Sequence, residues 1–584
     1  MENISRRTFL KSGAAAAAAA AFPLSAEAAA PAAGAAVSAL CPTQYGPVQG
    51  KAQGSHLVWY GIPYAAAPVG DARWRAPQEP AGQSLYYSFT DMNDARWRAP
   101  QEPAGWTDPL DCTAPAPAAY QVSSAPIGTE DCLRLDVYSV PSAQGRPVLV
   151  YLHGGNNQTG DSLALPGGDL VENDGCVFVS LNYRLGLFGF NSLPALCSED
   201  GGTGNFALLD IAKALDWVRE NISAFGGDPA NITLSGFSAG GRNVMACLTS
   251  PLFAGRFQKA ISFSGGITFS DPDTAARQIA AALAPLAVED GRFADENAAF
   301  AGLLTPDAAV REWLCSVEPS RIASRMPHAA LRMSVFPHLY ADDVVLPKAG
   351  FAAGTLHQVP LLLLTGSTEF SAFALYDGWF ASEAAQNYTA AERSAAKRFA
   401  SRYGSAFYRR FNAEASAETV APQSGAPVYC CQVEYGSDSS RTPLPPLGSF
   451  HGIFVPMLSR ENSFNAYADF TAAGYQAMAK QFNAYLENFL ACGDPNGRQK
   501  LSSLPVWPAW DPDTRQTLVL DADASTAYPE VKDVSVSDAA LLAQMDADNT
   551  LPADLKTAVI RNVLNGRWFS DPIDQHYGNG SLWK

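Results

Sequence analysis

The chain predicts an α/β architecture, a mostly parallel central sheet with helices on both faces and long loop and helical insertions. Three observations carry this. Short apolar runs at Pro147–Leu152, Val177–Leu181, Ala260–Phe263, Leu361–Leu364 and Val428–Val433 read as buried strands separated by helical stretches. Between two of them, Gly204–Asn221 reads as a helix whose Leu208, Ile211, Ala212 and Leu215 recur at helical spacing, with Ile222 beyond. Third, Ile232–Gly241 reads as strand, sharp turn and helix start, and the turn is Gly236-x-Ser238-x-Gly240. That is the nucleophile-elbow pattern, which holds a serine hydroxyl above a sheet on a tight turn. The glycines have a steric reason, because backbones meet there where a Cβ would clash. The bare pattern is common, so the rest of the chain has to support it.

The 584 residues are 47% hydrophobic and 17% charged, a globular composition. No Gly/Ser linker or charge block divides the middle, so residues 40–584 read as a single unit with insertions rather than several domains. A net charge of −17 argues against nucleic acid or an anionic membrane as partner, since phosphate binding needs clustered Lys and Arg. Beyond the first segment no apolar run reaches the roughly 20 residues of a membrane span. Oligomeric state leaves no mark in the sequence.

Ser5-Arg6-Arg7-Thr8-Phe9-Leu10-Lys11, an alanine run and Ala26-Glu27-Ala28 come in the order of a twin-arginine export signal with its cleavage site, so residues 1–30 are expected to be removed. Leu40 before Cys41 argues against a lipidated cysteine. Export permits disulfides. Of the ten cysteines, Cys112 and Cys132 are the candidate pair, since they flank one Pro/Ala/Ser-rich loop; closing it is worth roughly 3 kcal/mol in the chain-entropy model. Cys430 and Cys431 are adjacent in a strand, so their side chains take opposite faces and do not share a metal. No C-x-x-C or H-E-x-x-H occurs, and no metal or other cofactor is expected.

Asp71–Gly82 (DARWRAPQEPAG) recurs identically as Asp94–Gly105, an in-frame tandem duplication of 23 residues. Repeat architectures need three or more units, so this is an insertion; one copy packs and the other is expected to bulge out. Further on, Gly202-Thr203-Gly204-Asn205-Phe206-Ala207 fits a loose dinucleotide fingerprint, but Leu196–Asp200 before it reads as loop, and the fingerprint needs a strand there.

Hydrolysis at Ser238 needs a base and an acid to orient it, in the chain order serine, acid, histidine. Of seven histidines, His451 in Gly448-Ser449-Phe450-His451-Gly452 has the right order and a glycine-flanked loop. Glu369, in the turn after the Leu361–Leu364 strand, is the acid, with Asp377 in reserve. Backbone N–H groups must also cradle the oxyanion. Ala239 at a helix start supplies one, and His153-Gly154-Gly155-Asn156 after a strand resembles the H-G-G-G loop that supplies others.

Together these segments resemble the type-B carboxylesterases, relatives of the cholinesterases on the α/β-hydrolase fold. The resemblance runs from about Gly46 into the 520s. It rests further on Glu130-Asp131-Cys132-Leu133-x-Leu135-Asp136-Val137, Asn182-Tyr183-Arg184, Gly204-Asn205, Phe225-Gly226-Gly227-Asp228-Pro229, Gly241, Ser250-Pro251-Leu252 and Gly493-Asp494-Pro495-Asn496. It implies an exported serine esterase for small-molecule esters, with Ser238 as nucleophile, Glu369 as acid, His451 as base, and Gly155, Asn156 and Ala239 as oxyanion donors. It also matches the family's first disulfide to Cys112–Cys132. The chain departs from the family at Phe237 and Phe454, where acidic residues are usual, which argues against choline esters. It departs again at Asn156-Asn157, and in a turn before Glu369 that is two residues shorter. A non-catalytic binding protein on the same scaffold is the alternative, disfavoured by the presence of all three side chains in order.

Overall fold

The computed structural model describes residues 39–78, 105–123, 125–141, 143–197, 202–353, 356–438, 441, 444, 446–468, 470–497 and 503–579. The export signal and all but the last residue of the second repeat copy lie outside them.

Twelve strands follow one path through the sheet: β1 Ala39–Thr43, β2 Gly46–Gln53, β3 His56–Pro63, β4 Arg134–Ser139, β5 Arg146–Leu152, β6 Val177–Leu181, β7 Gly227–Phe237, β8 Lys259–Phe263, β9 Leu361–Gly366, β10 Val428–Val433, β11 Gln516–Leu520 and β12 Glu530–Asp533. Their order is β1-β2-β3-β4-β6-β5-β7-β8-β9-β10-β11-β12, with the short strand Leu110–Asp111 pairing beside β2. From β6 to β11 every pairing is parallel, and the two ends of the sheet are antiparallel.

The parallel strands are mostly apolar because both faces are covered. Alternate residues sort into two cores. Val148, Val150, Ile232, Leu234, Leu361, Leu363 and Cys430 enter the core beneath α1 (Phe206–Asn221) and α2 (Ala239–Thr249). Leu149, Tyr151, Ile261, Leu362, Leu364 and Cys431 enter the core against the late helix Ala473–Cys492. Cys430 and Cys431 are therefore buried thiols on opposite faces.

Local expectations shift in three places. The helix expected from Gly204 starts at Phe206, because the Asn205 amide is engaged outside the helix, donating to Tyr340 O (2.9 Å) and accepting from Tyr340 N (2.9 Å). Pro194–Cys197 forms one helical turn rather than loop. In the expected turn Phe225–Pro229 only Gly226 turns back (φ 86°); Gly227 already pairs with Arg146. The ladder then slips until Ile232, across Pro229, which has no N–H to give.

The expected Cys112–Cys132 cross-link is not present: both are buried free thiols. They pack as small apolar side chains, and burial pushes the Cys112 thiol up to about 12 and the Cys132 thiol above its ordinary value, which suppresses the reactive thiolate. Backbone bonds hold the segment instead, from Cys112 N to Gln49 O (2.8 Å), Tyr60 N to Cys112 O (2.8 Å) and Tyr64 N to Leu133 O (3.1 Å).

The first repeat copy fills the packed seat. Arg73 grips both carboxylate oxygens of Glu130 at 2.5 and 2.8 Å and donates to Leu314 O and Val317 O. Trp74 is 1% exposed, stacks on Phe188 and donates to Leu187 O.

Candidate active site

Ser238 sits between β7 and α2 with φ 58° and ψ −117°, a conformation that costs about 1–3 kcal/mol for a residue with a side chain. The surrounding glycines make the turn possible. A Cβ on Gly236 would lie 2.4 Å from the Gly240 carbonyl, and one on Gly240 would lie 2.1 Å from Leu152 O. The first intrahelical bond runs from Arg242 N to Ser238 O. The N–H groups of Ala239 and its two successors therefore precede the helical ladder, where a helix receives negative charge.

The loop after β5 turns through left-handed backbone at Gly155 (φ 102°), Asn156 (φ 60°) and Asn157 (φ 57°). It closes on itself by Gln158 N and Thr159 N donating to Gly155 O, both at 3.0 Å. A Cβ on Gly154 would approach the Ser238 Cβ to 3.1 Å, so this loop lies against the elbow. Asn157 and Asn243 exchange amide hydrogen bonds at 3.0 and 2.9 Å, tying the loop to α2. His153 stacks on Tyr183 at 4.6 Å, and burial lowers its pKa to about 4, so it is a neutral strut.

His451 Nε2 lies 2.9 Å from Ser238 Oγ, and its Nδ1 is hydrogen-bonded to Glu369 Oε2. All three side chains are buried, with Ser238 only 3% exposed. The second carboxylate oxygen, Oε1, accepts from Gly366 N (2.6 Å), Ser264 Oγ (2.5 Å) and Thr365 Oγ1 (3.2 Å). The acid's turn and the histidine's loop are bonded together, through Thr368 N to Ser449 O (3.0 Å) and the Thr368 and Ser371 hydroxyls to Leu447 O. Asp377 lies elsewhere, between Arg332 and Arg567.

Three aromatic rings enclose the imidazole: Phe237 at 4.7 Å, Tyr408 at 5.3 Å and Phe373 at 5.5 Å. Tyr408 comes from the long helix α3, Ala390–Asn412. It stacks on Phe569 of the C-terminal segment, and beside it Trp568 lies under the Arg242 guanidinium. Sequence reasoning missed Ser264, Tyr408 and this C-terminal contribution. Ser264-Gly265-Gly266 directly after β8 was the available signal for the first; nothing local marks the other two.

The sequence model of the carboxylesterase family matches residues 38–92, 83–378 and 379–537, its first two segments overlapping at the tandem duplication. A twin-arginine translocation signal matches residues 3–23. The para-nitrobenzyl esterase of Bacillus subtilis (strain 168) is 30% identical over 509 residues, 82% of this chain and 94% of that one. The fumonisin B1 esterase of Sphingopyxis macrogoltabida is 38% identical over 236 residues, 38% of this chain and 39% of its own length. Among solved structures, a thermophilic PNB esterase aligns with TM-score 0.63 and 27% identity, covering 84% of this chain and 97% of its own. A Geobacillus stearothermophilus carboxylesterase aligns with TM-score 0.62 and 26% identity over the same shares. No helix among the described residues is long and apolar enough to cross a membrane. With its α/β sheet, its export signal and a family match along most of its length, the chain belongs to the carboxylesterase family and is an exported carboxylic ester hydrolase.

Proposed function

We propose that the protein cleaves small-molecule esters through an acyl-enzyme, with Ser238 as nucleophile, His451 as general base and then acid, and Glu369 holding the imidazole. The observation that carries this is the bridging position of His451, with one ring nitrogen on Ser238 Oγ and the other on Glu369. Such a chain lets the imidazole take the serine proton as Oγ attacks the carbonyl carbon. The proton then passes to the departing alkoxide, and water repeats the sequence to free the acid. Gly155, Asn156 and Ala239 supply the amide hydrogens for the tetrahedral oxyanion, a contribution worth about 10²–10³ in rate for a single donor in comparable sites. The residues after the export signal act as one hydrolase unit.

The name of the B. subtilis relative nominates p-nitrobenzyl esters as first substrates, alongside p-nitrophenyl esters. Ser238→Ala is expected to abolish turnover of both while keeping the wild-type melting temperature. Stoichiometric labelling of the wild type, but not this variant, by an organophosphonate ties the reactivity to one hydroxyl. Retained turnover in Ser238→Ala would refute the assignment.

A further inference from the structure

The imidazole's aromatic neighbour Tyr408 is the one ring of the three that carries a hydroxyl. Its side chain is fully enclosed, yet the hydroxyl has no hydrogen-bond partner among the described residues. A buried polar group left this way is costly, and a functional site is where such a cost is tolerated. The hydroxyl lies within interaction range of the Ser238 side chain, in a contact short of good hydrogen-bond geometry. Its ring lies along the His451 imidazole at 28°, and Phe569 backs its other side at 25°. Tyr408 is therefore fixed against the face of the base's ring, with its hydroxyl beside the nucleophile's side chain.

Building on the triad reading, we propose that Tyr408 is a further catalytic residue, donating its O–H to the alkoxy oxygen of the ester as the carbon–oxygen bond breaks. The substrate supplies the partner that the free enzyme lacks. In acylation the Ser238 proton moves to His451 Nε2, the Oγ–carbon bond forms, and the carbon–alkoxy bond breaks with its electron pair on the alkoxy oxygen. His451 delivers its proton to that oxygen, so the product is a neutral alcohol. Tyr408 keeps its own proton and acts only as a hydrogen-bond donor. Burial, with Glu369 next, holds its phenol well above the ordinary tyrosine range; Arg242, Ser238 and Arg567 act in the other direction without reversing it. The group is thus a neutral donor at any working pH. In deacylation the same position accommodates the attacking water.

A donor to the leaving oxygen matters in proportion to the charge developing there. It therefore helps esters of alkyl alcohols, which leave poorly, more than esters of p-nitrophenol, whose anion is already stable. The test compares wild type with Tyr408→Phe across p-nitrophenyl, phenyl, trifluoroethyl and ethyl esters of one acid. The readout is kcat/KM, which reports acylation alone. The variant is expected to lose about tenfold or more with the ethyl ester and less than about threefold with the p-nitrophenyl ester. The plot of log kcat/KM against alcohol pKa becomes correspondingly steeper. Its melting temperature is expected to equal or exceed that of the wild type, because the ring keeps its packing and only an unsatisfied hydroxyl is removed. A loss of equal size for every leaving group, or no loss at all, overturns the proposal and leaves the triad standing. A wild type inert to every ester overturns the triad and this proposal together.

Discussion

Phe237 and Phe454 meet edge to face, their ring centres 5.1 Å apart at 74°, between the strand that leads into Ser238 and the segment just after His451. Phe454 continues the stack onto Phe263 at 4.4 Å and 8°, and Phe237 touches the His451 imidazole. The two positions at which this chain departs from the family's usual acids are thus one contact, and the two changes belong together. An acid at either position alone would face an aromatic ring in a dry core. Phe237→Glu and Phe454→Glu are each expected to lower unfolding free energy by about 3–5 kcal/mol, from the lost ring and a carboxyl buried without a partner. Urea unfolding of both single variants measures it.

Asp377 and Glu369 differ by eight positions in sequence and take different work in the structure. Asp377 Oδ2 accepts from both Arg332 and Arg567, and Oδ1 from Trp379 N at 2.9 Å. Burial raises its pKa, but Arg567 and Arg332 outweigh this, so the carboxyl sits below the ordinary range. Its stabilisation is accordingly present above the unfolded-state pKa of about 3.9 and is lost as pH falls through the lower folded value. Asp377→Asn strips the counter-charge from a fully buried Arg567 and is expected to cost about 3–5 kcal/mol, with kcat of the folded fraction near wild type. Glu369→Gln is expected to do the reverse, holding its melting temperature while kcat falls by about 10³–10⁴. Paired thermal melts and kinetics separate the two roles.

Asp136 in β4 provides a pH signature through hydrogen bonds that involve neither Ser238, Glu369 nor His451. It is 1% exposed, accepting from Gly61 N (2.7 Å) and Ser162 Oγ (2.7 Å). Burial pushes its pKa up to about 6, against the downward pull of those two hydrogen bonds. A raised acid stabilises the fold while it is protonated in both states. That contribution is full below the unfolded value of about 3.9 and declines as pH rises through the folded value near 6. Asparagine is neutral throughout and still accepts from Gly61. The stability of Asp136→Asn relative to wild type is therefore expected to grow by roughly 2 kcal/mol between pH 4 and pH 7, most of what a two-unit shift implies. Urea midpoints of both proteins across that interval test the sign as well as the size.

Sequence carried the periodic and local features of this molecule. The strand Val428–Val433 and the strand Val177–Leu181 stand at their expected bounds because an apolar run covered on both faces has few alternatives. The elbow was legible because glycine at 236 and 240 answers a steric demand that leaves a mark in one short segment. Tyr408 and Trp568 were not, because a helix residue about 40 positions before the histidine and a C-terminal tryptophan reach the site only through tertiary packing. The cysteine pair failed for a related reason. Flanking one loop brings two thiols near in sequence, whereas each side chain here is used as core filling.

The duplication gives the last expectation. The seat beneath Glu130 and Phe188 takes one arginine and one tryptophan, and Arg73 and Trp74 occupy it. Arg184, itself paired with Asp210 at 2.6 Å, donates to Arg73 O and so connects the seat to the Asn182-Tyr183-Arg184 turn. Just past the second copy, Trp106 N donates to Tyr45 O (2.7 Å) and Trp106 Nε1 to Pro47 O (2.7 Å), which anchors the far end of the insertion. Removing residues 71–93 or residues 83–105 yields the same sequence, one that keeps a complete DARWRAPQEPAG followed directly by Trp106. Both anchors survive, and loop-closure entropy changes by only about 0.6 kcal/mol per doubling of loop length. The 23-residue deletion is therefore expected to match or slightly exceed wild-type stability, with kcat/KM toward p-nitrophenyl esters unchanged within about twofold. Arg73→Ala introduced into that deletion removes the last arginine able to fill the seat, and is expected to cost about 3–5 kcal/mol by leaving Glu130 without its partner. Thermal melts and ester kinetics on the deletion, with and without Arg73→Ala, decide whether one copy suffices.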